Sequence, residues 1–162
     1  MTGTTCSGKT TILKKLLKEA ELERYKIGFS EDVIIDEYFP YIGSESNRFL
    51  KIFLVDLILL TEVFNHKIIH LSYLFSKFIF PSKQGFFIKL NLLRNVVKRL
   101  CLHKKLNKIK DNLNYDIIFI DEGTMHMAHN IFISFNMMPS EKELNEFSSI
   151  IPKYDKIFLI ET

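Results

Sequence analysis

The chain has 162 residues and a formal net charge of +3, a length that suits one domain, 1–162, large enough to bury a hydrophobic core. Its two cysteines, Cys6 and Cys101, exclude a disulfide-stapled scaffold and favour a reducing, cytoplasmic compartment. No basic start leads into an apolar run, so no signal peptide is read at the N-terminus.

In chain order, the first feature is Gly3-Thr4-Thr5-Cys6-Ser7-Gly8-Lys9-Thr10, which fits G-x-x-x-x-G-K-[ST] at every fixed position. This is the phosphate-binding Walker A pattern. Gly3 and Gly8 let the backbone turn tightly, so that successive N–H groups point at phosphate oxygens. A helix starting near Gly8 aims its positive end at the same charge. Lys9 is expected to reach the β- and γ-phosphates of ATP, and the Thr10 hydroxyl to ligate Mg²⁺. Thr4, Thr5, Cys6, Ser7 and Thr11 complete the expected nucleotide-binding segment, with Cys6 in a variable position. The helix should run to about Tyr25, with Ile12, Leu13, Leu16, Leu17 and Ala20 on one face.

A loop of this kind connects a buried strand to its helix. Only Met1 and Thr2 precede Gly3, so the expectation is a chain from which the P-loop strand is missing.

Further along, Val33-Ile34-Ile35 reads as a short strand ending in Asp36-Glu37, which would place both acids at the carboxyl edge of a sheet near an acceptor. Pro40 and Gly43 mark a loop. Helices follow over about Asn47 to Phe80, broken near Asn65 and His66, and over about Phe86 to Lys110 after the turn Pro81–Gly85. Together they form a helical acceptor-side insertion at about 46–111. Lys51, Asp56, Glu62, Lys67 and Lys77 interrupt the apolar region Phe49–Phe80 too often for a membrane span.

Tyr115-Asp116-Ile117-Ile118-Phe119-Ile120 is a continuous apolar run suited to a strand covered on both faces. It ends in Asp121, the Walker B pattern, so Asp121 is expected to hold Mg²⁺ and Glu122 to orient or deprotonate a nucleophile. A helical stretch spans about Thr124 to Phe135. Ser140-Glu141-Lys142-Glu143 fits a capping box that opens a helix to about Ile150, and Lys156–Ile160 reads as a last strand. Strands alternating with helices argue for a parallel α/β sheet.

The charge is uneven: no acid lies between Val63 and Lys110, where Lys67, Lys77, Lys83, Lys89, Arg94, Lys98, Arg99, Lys104, Lys105, Lys108 and Lys110 are basic. Such a stretch is most simply a solvated helix face in a lysine-rich chain, and the alternative is a surface that attracts a phosphorylated acceptor or nucleic acid. The absence of an aromatic-basic RNA-binding signature argues against nucleic acid. Arg48, Arg94 and Arg99 are candidate phosphate clamps. His126 and His129 stand i, i+3 without a carboxylate pattern, which argues against a metal role.

The order of features resembles the nucleoside and nucleoside monophosphate kinase group of P-loop proteins: a Walker A segment, an acidic strand end, a helical insertion, an apolar strand ending in Asp121, a short helical region and another strand. The form Asp121-Glu122-Gly123 looks like thymidylate kinase-like ATPases. The resemblance implies a three-layer P-loop fold with a parallel sheet of order 2-3-1-4-5. It also implies that the lid and fifth strand would follow Thr162.

The expected function is therefore an ATP- and Mg²⁺-dependent kinase that transfers the γ-phosphoryl group to a nucleoside, nucleotide or similar small acceptor. Lys9, Asp36, Glu37 and Glu122 are its candidate catalytic residues, Gly3–Thr11 its nucleotide site, and Thr10 and Asp121 its metal ligands. One alternative is an ATPase in which Glu122 activates water. Another is a nucleotide-binding chain without turnover. A homodimer is left open.

Overall fold

A computed structural model describes residues 15–19, 23–42, 47–109, 111, 115–120, 126–128, 131–132 and 138–153. Residues 15–19 are helical (α1), within the helix read from Gly8, and the chain turns at Glu23 and Arg24. Strand β1 (Ile27–Phe29) leads without a loop into α2 (Ser30–Tyr38). Helices α3 (Arg48–Val63), α4 (His66–Ile79) and α5 (Phe86–Ile109) follow, then β2 (Ile117–Phe119), the short α6 (His126–Ala128) and α7 (Glu141–Ile150).

Local chemistry sets most of these boundaries. Asn47 caps α3 by accepting from the Phe49 amide at 2.9 Å, and Asn65 caps α4 by accepting from the Lys67 amide at 3.0 Å. Asn65 thus ends one helical segment and starts the next. At α7 the full capping box forms: the Glu143 amide donates to Ser140 Oγ at 3.3 Å, and the Ser140 amide donates to Glu143 Oε2 at 2.8 Å.

The core lies among α3, α4 and α5. Val55, Ile58 and Leu59 of α3 face Leu92, Val96 and Leu100 on the 24-residue α5, spaced i, i+4, i+8. Phe147 of α7 closes one end, with its ring edge-on to Phe75 at 5.4 Å, Phe78 at 5.7 Å and Phe132 at 5.3 Å.

The expected three-layer fold with a five-strand sheet of order 2-3-1-4-5 is not what the chain forms. Helices dominate the described residues, and the one sheet among them has two parallel strands, β1 and β2, paired Ile27 to Ile117, Gly28 to Ile118 and Phe29 to Phe119. The reason is legible at Val33–Ile35. This β-branched run is helical, and all three side chains are buried because α2 is covered by the sheet on one side and by α3 and α5 on others. Burial on several sides is what makes an apolar run look like an enclosed strand. The expected strand at Lys156–Ile160 lies outside the described residues.

Gly28 is required by that packing. A Cβ there would collide with Val33 Cγ2 and stand 2.8 Å from Tyr115 Cε1, so only glycine lets α2 fold back onto β1 and β2.

Candidate functional site

Of the expected site residues, Gly3, Thr4, Thr5, Cys6, Ser7, Gly8, Lys9, Thr10, Thr11, Asp121 and Glu122 lie outside the described residues. Asp36 and Glu37 are described, and they do not end a strand. Both sit in the last turn of α2, exposed.

Because α2 folds back over the sheet, its end reaches the amino end of β2. The Tyr115 hydroxyl donates to Asp36 Oδ2 at 2.6 Å, and Tyr115 precedes β2. The other end of β2 leads to Ile120, about 16 Å along the chain at ~3.3 Å per residue. Asp36 therefore faces the opposite edge from the one expected. Lys26 completes this edge: its amide donates to Asp116 Oδ2 at 2.7 Å, and its ammonium lies 4.4 Å from the centre of the Tyr115 ring. Burial, then the hydrogen bond and charge of Asp36 and the charge of Asp32, push the Tyr115 hydroxyl up to about 12. At neutral pH it is a fixed donor that ties α2 to β2.

A second polar centre went unread in the sequence. On α3 the buried stripe Val55, Ile58, Leu59 continues at i+7 to Glu62, whose side chain is only 4% exposed. On α5, Lys105 lies on the buried stripe between Leu102 and Ile109. Helix packing brings these charged residues together. Lys108 Nζ donates to Glu62 Oε1 at 2.5 Å, Lys104 Nζ stands 3.3 Å from Oε2, and Lys105 Nζ stands 3.8 Å from Oε1.

Burial pushes the Glu62 carboxyl up, but the hydrogen bond from Lys108 and the positive charges of Lys108 and Lys104 outweigh it and hold the group below its ordinary value. Lys105 also lies 4.4 Å from the centre of the Tyr38 ring, linking the cluster to the end of α2. One turn earlier, burial and the Glu62 charge push the Cys101 thiol up to about 11, against the pull of Lys104. Cys101 is a buried, protonated thiol.

A charged residue of each sign on an otherwise apolar helical stripe was the available signal. Asp56 and Lys98 repeat the pairing at 2.7 Å, farther along the same two helices.

Of the arginine candidates, Arg94 is exposed and Arg99 half-buried, while the side chain of Arg48 lies outside the description. The His126 side chain and His129 do likewise. Among the described residues no group of three or more His, Cys, Asp or Glu is placed to hold a metal ion, and no helix is long and apolar enough to cross a membrane. No family model matches the chain, and neither curated proteins nor solved structures yield a match.

Proposed function

We propose that the protein binds ATP with Mg²⁺ through Gly3–Thr10 and transfers the γ-phosphoryl group to a nucleoside, nucleotide or similar small acceptor. The observation that carries this reading is the Gly3–Thr10 sequence, which meets every fixed position of the Walker A pattern. Lys9 would neutralise charge developing on the transferred phosphoryl group, and Thr10 and Asp121 would hold the metal. Phosphoryl transfer rests on positioning and electrostatics, which this inventory supplies. Asp121 follows an apolar run in which Ile117–Phe119 is a strand, which supports a Walker B role.

Glu122 directly after Asp121 favours a second reading, an ATPase in which Glu122 activates water. The cysteine content and the free, buried Cys101 support a cytoplasmic location.

The test is ADP release from Mg²⁺-ATP, with and without a panel of nucleosides and nucleotides. Release that depends on one acceptor and vanishes in Lys9→Ala establishes the kinase. Acceptor-independent release lost in Glu122→Gln establishes the ATPase, and ATP binding without release under any condition overturns both.

A further inference from the structure

Three lysines surround the Glu62 carboxylate, and their charge exceeds its own. Lys108 takes the short hydrogen bond to Oε1. Lys104 contacts Oε2 at 3.3 Å as an ion pair, yet its buried Nζ makes no hydrogen bond among the described residues. Lys105, with a side chain 10% exposed, stands 3.8 Å from Oε1, beyond hydrogen-bond length, and otherwise meets the face of Tyr38. Lys104 and Lys105 are thus paired with Glu62 by charge without a hydrogen bond to it, which leaves capacity for a second anion.

Three ammonium groups against one carboxylate leave two positive charges, which complement a phosphate monoester carrying close to two negative charges at neutral pH. Its three terminal oxygens supply the missing acceptors, and lysine is a common point-charge partner for phosphate. The lysines converge on one point, with Asp56 and Glu62 set among the basic residues of α5. That arrangement suits a compact anion better than a polyanion, which needs a continuous basic track. Lys108, 52% exposed, and the half-exposed Tyr38 ring open the cluster to solvent.

We propose that Lys104, Lys105 and Lys108, gathered around Glu62, form a binding site for a phosphate monoester dianion. The site uses no residue of Gly3–Thr10 and is expected to bind its anion without ATP.

The test is calorimetric titration of the full chain carrying Lys9→Ala, at low salt, with methyl phosphate, inorganic phosphate, a nucleoside monophosphate and a single-stranded oligonucleotide. Methyl phosphate is expected to bind one to one. Equal affinity for inorganic phosphate marks a site that reads phosphate alone, and tighter binding of the monophosphate marks one that also reads the nucleoside. Lys104→Gln and Lys105→Gln should each weaken binding about tenfold or more with helical circular dichroism retained. Glu62→Gln, which removes the internal competitor, should tighten it severalfold.

Lys108→Gln alters an exposed side chain, so it keeps the test open if the buried lysines prove necessary for folding. It too should weaken binding. No binding to the Lys9→Ala protein, binding of the oligonucleotide alone, or unchanged affinity in folded lysine variants overturns the proposal.

Discussion

The hydroxyl of Tyr115 donates to Asp36 Oδ2 at 2.6 Å, joining residues 79 apart in sequence and fixing the end of α2 against the amino end of β2. This contact shows that α2 runs back across the strands, and it moves Asp36 away from the edge to which β2 delivers Ile120. An acid that follows an apolar run is not thereby at the carboxyl end of a strand.

Tyr115→Phe should cost about 1 kcal/mol, the net worth of one partly exposed hydrogen bond. The effect should depend on pH. The Tyr115 hydroxyl sits at about 12 in the folded chain, above its ordinary value of 10.0, so its contribution is complete below pH 10 and is lost as pH rises through 12. Urea unfolding at pH 8 and pH 11.5 checks this: the gap between wild type and Tyr115→Phe should narrow at the higher pH.

Glu62→Gln should destabilise the chain by roughly 2 kcal/mol. That is less than a fully buried pair would cost, because Lys108 is half-exposed and screened. The sign of the pH dependence is opposite to that of Tyr115. The folded carboxyl lies below its ordinary value of 4.5, so its contribution is present above pH 4.5 and lost as pH falls through the lower folded value. The unfolding midpoints of wild type and Glu62→Gln should therefore converge in acid.

Gly28→Ala tests the fold of α2 onto the sheet. The added methyl would force the Val33 and Tyr115 side chains to shift, and overpacking of this kind costs about 1–3 kcal/mol. Denaturant titration should show a lower midpoint, and Val33→Ala in the same chain should recover part of the loss. A neutral Gly28→Ala would mean that α2 does not lie against β1 as described.

Phe147→Ala removes the ring that meets Phe75, Phe78 and Phe132, and should cost about 3–4 kcal/mol. Thermal unfolding followed by circular dichroism measures it. A loss below 1 kcal/mol would detach α7 from the core.

What the sequence disclosed follows from the range of the forces involved. The helix break at Asn65 and the capping box at Ser140 and Glu143 were readable because capping is chemistry between near neighbours. Val33–Ile35 was misread because β-branched composition and continuous burial suggest a strand, while the deciding contacts come from β2, α3 and α5, remote in sequence. Glu62 and its lysines were visible only as scattered charges, since their meeting requires the packing of α3 on α5. The Gly3–Thr11 segment and Asp121 carry the functional reading by residue type and spacing.

The central claim is that Gly3–Thr10 binds the phosphates of ATP, and calorimetric titration with ATP and Mg²⁺ tests it most directly. The account predicts one-to-one binding that weakens about tenfold or more in Lys9→Ala, with a charge-assisted contact to phosphate lost. It also predicts ATP binding little changed in Lys104→Gln. Equal ATP affinity in wild type and Lys9→Ala, or no binding by either, would contradict it.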